Sequence, residues 1–398
     1  MQKPYPHDRD SHSVAIVGTG PAALMAADKL ASSGIQVTLF DKRAAAAWKL
    51  FVAGSSGLNI TNALPLNAFA SNYTGPAQHW QTCLSQFSNE DWVRFIEVEL
   101  GQKTFLGTSG RYFVETMHAA ALVRAWRRRL ESMGVSFHFA HELIDFSSDG
   151  TDCTLRFKNE TTFSFPKVLL ALGGGSYEPT EDPLRWISIF ENKGIRFNAF
   201  SPMNSGYHVA WTKAFLAEVD GQPFKNIEFR NSKGSRKGDL IITEYGLEGT
   251  PVYTLGEAGA ASIDLKPDLS LDAIKQKLLS SKENFSLIRR AQKHLQLNKA
   301  ALALIFHMGR PEWKNSLDDF ALAIKNFPLT LLQPRPLSES ISARGGVSWD
   351  ELGDNLELTS HPGIYLAGEM IDWEAPTGGF LIQGGVAQGR FVAESMLK

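Results

Sequence analysis

The chain has 398 residues, more than one hydrophobic core usually organises, so its length predicts two or three domains. Hydrophobic residues make up 43% of it and charged residues 21%, which is typical of a globular protein. A formal net charge of -2 disfavours a nucleic acid partner, because phosphate binding needs a dense positive surface. Two cysteines exclude a disulfide framework, and no apolar run approaches the roughly 20 residues of a membrane span, so we expect a cytoplasmic protein without a membrane partner. No HxxxH or CxxC spacing is present, so no metal site is predicted.

The first predicted elements form a nucleotide-binding unit. "SVAIVG" (13–18) is a short apolar run typical of a strand buried in a parallel sheet, and "ALMAADKLASSG" continues as a helix with an apolar face. Between them, Gly18, Gly20 and Ala23 fit the pattern G-x-G-x-x-G/A, in which a tight turn lets the backbone approach a pyrophosphate. A second strand, "IQVTLF", leads to Asp41, whose carboxylate would accept the ribose hydroxyl groups and disfavour a 2′-phosphate. These elements in this order predict dinucleotide binding.

A third apolar strand is predicted in "FPKVLLALGGGSYEP", where Val168–Leu172 runs directly into three glycines. A strand of the cofactor domain that ends beside the nucleotide explains this pattern. The alternative is a buried strand followed by a loose loop.

The middle of the chain changes character twice. From Phe197 to about Pro267, short alternating runs such as "GDLIITEYG" are separated by turn residues, which is typical of antiparallel strands. From Leu271 to about Phe327 the apolar spacing becomes helical, as in "KAALALIFHMG", before "FPLTLLQPRPL" returns to an extended chain.

The last elements favour a resident FAD over NAD. "IYLAG" is a short predicted strand that Glu369 follows, and "TGGFLIQGGVAQG" begins a helix with Thr377 as its N-cap. Small residues crowd this helix, so we expect a flat group or a backbone to lie against it. A flavin ring gains negative charge on reduction, and a helix N-terminus stabilises such charge.

The chain resembles the BaiN/YhiN-like bacterial flavoproteins, also called the aminoacetone-oxidase family of FAD-binding enzymes. The resemblance rests on "GTGPAALMAA", "WKLFVAGSSGLNITN", "GRYFVETMHAAALVRAW", "ALGGGSY", "GDLIITEYGLEGTPVY", "ISARGGVSWDEL" and the C-terminal segment, which occur in the family's order. It implies an α/β fold with a Rossmann-like FAD-binding domain of the glutathione-reductase type. We therefore predict this domain in residues 1–195 and 338–398, an inserted antiparallel, barrel-like β domain in 196–267 and 328–337, and a small helical insertion in 268–327.

The resemblance also implies roles for residues along the FAD molecule. Gly18, Gly20 and Ala23 would bind the pyrophosphate, Asp41 the adenosine ribose, and Glu369 the ribityl or pyrophosphate region. Gly378, Gly379 and Phe380 would border the isoalloxazine ring, and the backbone of Leu143 would meet the adenine. The complete predicted cofactor-binding set is Gly18, Gly20, Pro21, Ala22, Ala23, Asp41, Lys42, Arg43, Lys49, Leu50, Asn59, Thr61, Asn62, Leu143, Ala171, Leu172, Gly173, Gly368, Glu369, Gly378, Gly379 and Phe380.

One loop departs from the family pattern. The usual loop reads SGGGRCN-x-TN, whereas here it reads "AGSSGLNITN", with Gly57 and Leu58 where arginine and cysteine commonly stand. Because this loop is expected near the flavin, the chain resembles a distinct subgroup, and no relative's substrate is carried over.

The resulting prediction is an FAD-dependent oxidoreductase that acts on a small organic substrate by hydride transfer through flavin N5. An enone-like substrate is the leading expectation, with NAD(P)H left open as a transient electron donor because no second GxGxxG follows a strand. Open alternatives are an amine or aminoketone oxidase that uses oxygen and a non-catalytic flavin-binding protein, whereas the charge balance disfavours a tRNA-modifying flavoenzyme. No catalytic acid or base and no oligomeric state are predicted. Candidates for a substrate pocket between domains, each with core packing as the alternative, are Tyr207, His208, Tyr245, Arg344 and Trp373.

Overall fold

The computed structural model describes residues 12–53, 57–178, 182–219, 221–280 and 285–398. Residues 54–56 of the loop that departs from the family pattern lie outside this description. The chain divides into two compact units: the first comprises Met1–Ser201 and Ile341–Lys398, and the second comprises Pro202–Ser340. In the described part of the chain, no helix combines the length and apolar character that crossing a membrane requires.

Strands and helices are numbered in chain order. The strands are β1 (Ser13–Val17), β2 (Gln36–Phe40), β3 (Asn59–Asn62), β4 (Thr104–Leu106), β5 (Arg111–Val114), β6 (Ser136–His138), β7 (Leu143–Ser148), β8 (Cys153–Phe157), β9 (Thr162–Phe165), β10 (Lys167–Leu170), β11 (Phe197–Met203), β12 (Tyr207–His208), β13 (Pro223–Asn231), β14 (Gly234–Thr243), β15 (Gly246–Glu248), β16 (Gly259–Asp264), β17 (Phe327–Leu331), β18 (Ser342–Val347) and β19 (Ile364–Leu366). The α-helices are α1 (Pro21–Ser32), α2 (Trp48–Ala53), α3 (Leu66–Ala70), α4 (Ala77–Gln86), α5 (Asn89–Arg94), α6 (Ala119–Ser132), α7 (Ile187–Glu191), α8 (Lys213–Val219), α9 (Thr250–Leu255), α10 (Leu271–Leu279), α11 (Leu287–Leu295), α12 (Lys299–Met308), α13 (Leu317–Lys325) and α14 (Phe380–Met396).

A parallel sheet forms the centre of the first unit. Its order is β19-β10-β1-β2-β6, so the first strand of the chain lies in the middle. β1 pairs in parallel with both neighbours, with Val14 opposite Lys167 of β10 and Val37 of β2. The apolar runs of β1 and β10 are buried, as expected for strands covered on both faces. Because parallel strands end at the same edge, the segments after β1, β2, β10 and β19 come together at one edge of this sheet.

Helices α1 and α14 pack against each other in the first unit. Their backbones approach closely at Gly389, where a Cβ atom would lie 2.8 Å from the carbonyl carbon of Ala22. The small residues of α14 therefore meet a backbone, which is one of the two partners that the sequence predicts.

The described part of the first unit also contains the antiparallel sheets β3-β5-β4 and β7-β8-β9. β18 pairs with β11, a strand whose last two residues belong to the second unit. β3 contacts α14, which places the small sheet β3-β5-β4 beside the C-terminal helix.

The second unit contains an antiparallel sheet and helices. The strand order is β12-β15-β14-β13-β16-β17. Ile274, Leu304 and Ile324 from the helical segment share one hydrophobic core with Phe224 and Ile242 from the sheet. The predicted boundaries between a β domain and a helical domain stay a prediction, but the apolar packing joins the two segments in one compact unit.

Candidate functional site

The turn between β1 and α1 contains two glycines in different surroundings. Gly18 has a φ of +107°, and a Cβ atom there would overlap the carbonyl oxygen of Ala171 and lie 2.9 Å from its carbon. Gly20 is the N-cap of α1 with ordinary extended backbone, and a Cβ atom there would meet nothing within 4 Å. Among the described residues no side chain caps α1, so the first N–H groups of this helix are available to an anion in the open space beside Gly20. Pro21, Ala22 and Ala23 form the first turn of this helix.

Asp41 lies at the same edge of the sheet, directly after β2. Its carboxylate accepts hydrogen bonds from the Thr19 hydroxyl and from the Arg43 N–H, the latter at 2.9 Å. Burial raises the pKa of Asp41, and these two hydrogen bonds act against that rise. A carboxylate oriented in this way can accept hydroxyl groups of a ribose.

Two neighbouring predicted residues, Lys42 and Arg43, follow Asp41 in the chain. The Arg43 guanidinium pairs with the buried carboxylate of Glu178 and lies 4.9 Å from the ring centroid of Trp48. Arg43 is thereby joined to the segment that follows the three glycines after β10. Glu178 is a partner of Arg43 that the residue pattern of the chain does not predict.

The segment after β10 lies beside the β1–α1 turn. The Ala171 N–H donates to the Val17 carbonyl at 2.8 Å, and the Leu172 N–H faces the Met370 sulfur at 3.4 Å. Gly173 follows at the same edge. The structure thus brings Ala171–Gly173 to the turn that contains Gly18.

Leu143 is connected to the site through β2. The Asp41 N–H donates to the His138 carbonyl at 3.0 Å, and the His141 N–H donates to the Asp41 carbonyl at 2.9 Å. Leu143 begins β7 two residues later and is buried.

A charged pair connects α2 with the segment after β19. The Lys49 ammonium pairs with the Glu369 carboxylate, which also accepts the Ala343 N–H at 3.2 Å. Leu50, the next residue on α2, is buried. The Gly368 N–H donates to the Gln388 side chain of α14 at 2.9 Å, which fixes the end of β19 against that helix.

The start of α14 lies directly against β3. Gly379, its N-cap, has a φ of +90°, and a Cβ atom there would come within 2.6 Å of the backbone N and C atoms of Thr61. The Thr61 hydroxyl donates to Gln383 at 2.9 Å. The Phe380 carbonyl accepts the Tyr73 hydroxyl at 2.6 Å, so buried side chains hold both sides of this helix start.

Asn59 begins β3, the strand that contacts the start of α14. The Asn59 Oδ1 atom is buried and accepts no hydrogen bond from the residues that the structure describes. Asn62, at the other end of β3, accepts the Leu64 N–H at 3.2 Å. A buried acceptor without a donor is unfavourable, so Asn59 suits a ligand that carries an N–H or O–H group.

The structure adds Arg111, which the sequence analysis did not assign to the site. It lies on β5 opposite Asn62, and its Nε atom is 3.6 Å from the position of a Cβ atom on Gly378. Arg111 lies in "GRYFVETM", a segment that contributes to the family resemblance. Its position beside α14 follows only from the pairing of β5 with β3.

The predicted pocket residues of the first unit are held by partners. The Arg344 guanidinium is 2.8 Å from the Glu374 carboxylate. Trp373 is buried, and its indole N–H donates to the Gly368 carbonyl at 2.8 Å. Packing in the core accounts for Trp373.

The other pocket candidates lie in the second unit, Tyr207 and His208 on β12 and Tyr245 before β15. The Arg335 guanidinium is 3.3 Å from His208 Nε2 and 4.2 Å from the ring centroid of Tyr245. The Tyr245 hydroxyl donates to Glu248, and burial together with this carboxylate raises the pKa of the phenol. These contacts connect the return segment 332–336 to the sheet.

One known protein family matches nearly the whole chain. The model of the HI0933-like protein Rossmann domain matches residues 12–395. A 3-dehydro-bile acid delta(4,6)-reductase of Clostridium scindens is 22% identical, covering 94% of this chain and 97% of that protein. A ribosomal RNA dihydrouridine synthase of Haemophilus influenzae is also 22% identical, covering 92% of this chain and 94% of that protein.

Solved structures agree on the fold. The 3-ketosteroid delta1-dehydrogenase of Sterolibacterium denitrificans has a TM-score of 0.53 at 12% identity and covers 97% of this chain and 99% of its own. The 3-ketosteroid-delta4-(5alpha)-dehydrogenase of Rhodococcus jostii has a TM-score of 0.51 at 13% identity and covers 99% of this chain and 98% of its own. The predicted family and the predicted Rossmann-type FAD-binding fold class are confirmed. The chain belongs to the HI0933-like Rossmann family.

Proposed function

We propose that this protein uses bound FAD to reduce a carbon–carbon double bond conjugated to a carbonyl group in a small organic substrate, with NAD(P)H as the electron donor. The observation that carries the cofactor assignment is the open space at Gly20 next to an uncapped helix N-terminus. This space lets a pyrophosphate approach the backbone amides at the helix start.

The residues of the first unit have defined tasks in this proposal. The N–H groups at the start of α1 bind the pyrophosphate, Asp41 accepts the ribose hydroxyl groups, and Asn59 accepts a hydrogen bond from the flavin ring. Gly379 presents the N-terminus of α14 to the same ring. FAD supplies the hydride chemistry, and the protein supplies binding, orientation and electrostatics.

The substrate class rests on the chemistry that two relatives' names share. A delta(4,6)-reductase of a 3-dehydro-bile acid and a dihydrouridine synthase both add hydrogen to a double bond conjugated to a carbonyl group. Such a double bond accepts hydride at its β-carbon because the carbonyl oxygen takes up the resulting charge. We therefore favour an enone over an aminoketone as the substrate.

The test begins with the purified protein under anaerobic conditions. We expect a flavin absorption spectrum that NADH or NADPH bleaches and that 2-cyclohexenone or 4-androstene-3,17-dione restores. A protein that binds no FAD after reconstitution contradicts the cofactor assignment. Bound FAD that neither nicotinamide nor an enone affects contradicts the reductase, and peroxide release from aminoacetone in oxygen would establish the oxidase instead.

Ribosomal RNA serves as a further acceptor in the same assay, because one relative is named for dihydrouridine synthesis. The formal net charge of -2 predicts no reoxidation by RNA at physiological salt. Reoxidation by RNA but not by enones would assign the activity to a nucleic acid substrate.

A further inference from the structure

Gln388 of α14 is a fully buried polar side chain with a partner at each end of its amide group. Its Oε1 atom accepts the Gly368 N–H at 2.9 Å, and its Nε2 atom lies 3.4 Å from His79 Nε2. Because the amide oxygen faces a backbone donor, the amide NH2 group faces His79. Burial lowers the pKa of His79 to about 4, so the ring is neutral at pH 7 and can accept this hydrogen bond. Gln388 thus joins α4 to the segment after β19.

Gly368, the residue that Gln388 contacts, is held on both sides. It has a φ of +81°, a conformation that glycine adopts readily, and the Trp373 indole N–H donates to its carbonyl at 2.8 Å. A Cβ atom on Gly368 would lie 3.5 Å from the Ala22 Cβ atom in the first turn of α1. α14 approaches the backbone of Ala22 at Gly389, directly after Gln388. Gln388 therefore fixes the Gly368 peptide beside the helix start to which the proposed function assigns the pyrophosphate.

Glu369 follows Gly368 directly. Its carboxylate pairs with Lys49 and accepts the Ala343 N–H at 3.2 Å. A buried N–H group that loses its acceptor is unfavourable, so the Gly368 peptide would rotate if the Gln388 amide were removed. This rotation would move the backbone from which the Glu369 side chain extends.

We propose that Gln388 is a positioning residue for the cofactor, because it holds the Gly368 peptide in the orientation that directs Glu369 to FAD. This inference rests on the proposed function, since it requires FAD at the edge of the sheet where Glu369 lies. Gln388 is fully buried, so its effect on FAD passes through Gly368 and Glu369.

The test compares the protein with its variants Q388M, Q388E and V392A. Methionine at position 388 keeps a similar volume and removes both hydrogen bonds. A protonated glutamic acid both accepts and donates, so Q388E keeps an acceptor for the Gly368 N–H. Val392 is the matched control, because it is fully buried on the same helix and V392A removes only apolar contacts. The dissociation constant of FAD and the urea midpoint of unfolding are measured for each protein.

We expect the dissociation constant of FAD to rise about tenfold in Q388M, because the Gly368 N–H loses its acceptor. Q388E should bind FAD more tightly than Q388M, and V392A should unfold at lower urea with an unchanged affinity for FAD. A wild-type dissociation constant in Q388M overturns the inference, as does an equal rise in V392A. An affinity of Q388E no better than that of Q388M overturns it too.

A double-mutant cycle tests whether Gln388 acts through Glu369. E369A removes the carboxylate that Gln388 is proposed to direct. In the E369A protein, Q388M should then raise the dissociation constant of FAD by less than about threefold. A full tenfold rise in that background contradicts the positioning role.

The two proposals fail in different ways. A wild-type protein that binds no FAD contradicts the proposed function, whereas a Q388M protein with wild-type affinity contradicts only the role of Gln388. If Q388M does not fold, Q388N takes its place, because the shorter amide stays polar but moves its acceptor away from the Gly368 N–H. The same rise is expected there, and a wild-type dissociation constant in Q388N overturns the inference.

Discussion

The two glycine pairs of the first unit, Gly18–Gly20 before α1 and Gly378–Gly379 before α14, divide their tasks in the same way. In each pair one glycine touches a distant backbone: Gly18 meets Ala171 and Gly379 meets Thr61. The other glycine of each pair is less constrained by the protein. A Cβ atom on Gly20 would meet nothing within 4 Å, and the three atoms nearest to a Cβ atom on Gly378 would be side-chain atoms, at 3.3 to 3.6 Å.

The two turns differ in what surrounds the less constrained glycine. Open space surrounds Gly20, whereas the Phe380 ring and the Arg111 guanidinium flank Gly378. The first turn thus presents helix amides next to open space, whereas at the second turn a cation lies beside a helix N-terminus. A diphosphate is already anionic and needs only the amides, whereas a flavin ring becomes anionic during the reaction. The difference suggests that the first turn serves binding and the second serves redox chemistry.

The largest effect is expected for Gly379→Ala, which tests whether the second turn depends on contact with β3. The new Cβ atom would come within 2.6 Å of the Thr61 backbone, which cannot move without disturbing the strand, and the φ of +90° adds strain. We expect a loss of about 3–5 kcal/mol in the free energy of unfolding, measured by urea denaturation. Gly101→Ala is the control, because that glycine has a φ of +62° but no neighbour within 4 Å. Equal losses in both variants would show that the contact with Thr61 is unimportant.

A second prediction concerns acid and the far side of α14. His79 on α4 lies 3.4 Å from Gln388 and 3.2 Å from the Cys83 sulfur, and burial lowers its pKa to about 4. Its ordinary pKa is about 6.5, so the unfolded chain binds a proton between pH 6.5 and 4 that the folded protein does not. Stability is therefore complete above pH 6.5 and falls by about 3 kcal/mol as the pH drops to 4.

His79→Gln should remove most of this pH dependence. Urea denaturation of both proteins at pH 4.5, 5.5 and 7.5 measures the effect, with pH 7.5 as the reference at which the histidine is neutral. If the free energy of unfolding of both proteins falls equally as the pH drops, protonation of His79 is not the cause of the loss of stability in acid.

The sequence was sufficient to predict the first turn and insufficient for the second. A strand, two glycines, a helix and Asp41 are local in the chain, and each follows from spacing and residue type. Gly379 was placed near the ring only through the family resemblance, since its contact with Thr61 joins positions more than 300 residues apart. Arg111 was missed because its position depends on which strand pairs with β3.

The second unit shows a similar limit. Alternating runs predicted its antiparallel strands, and serine and asparagine N-caps mark the starts of α10, α11, α12 and α13. Periodicity could not reveal that the helices share their core with the sheet. It also gave no indication that Arg335 lies between His208 and Tyr245, because this contact spans the whole helical insertion.

Gly20→Ala tests whether the open space at the first turn binds the cofactor, because this substitution should weaken FAD binding and leave the stability of the fold almost unchanged. Because the added methyl group meets no protein atom, the free energy of unfolding should change by less than about 1 kcal/mol. The same methyl group would occupy the space of the pyrophosphate, so the dissociation constant of FAD should rise about 10- to 100-fold. Gly18→Ala is the matched variant, and it should unfold at lower urea because of its overlap with Ala171. Unchanged FAD affinity in Gly20→Ala would assign the open space to something other than the cofactor.

The smallest effect is expected for Lys49→Met, which tests whether the first turn has a cation of its own. Lys49 pairs with Glu369 and is about one-third exposed, so its removal should cost less than about 1 kcal/mol of stability. Its removal also leaves the Glu369 carboxylate uncompensated near the proposed pyrophosphate, so FAD should bind up to about tenfold more weakly. In the double variant with Glu369→Gln, the repelling charge is gone and most of this affinity should return. If the second substitution weakens FAD binding further, Glu369 contacts the cofactor directly through its carboxylate, and the lysine serves to orient it.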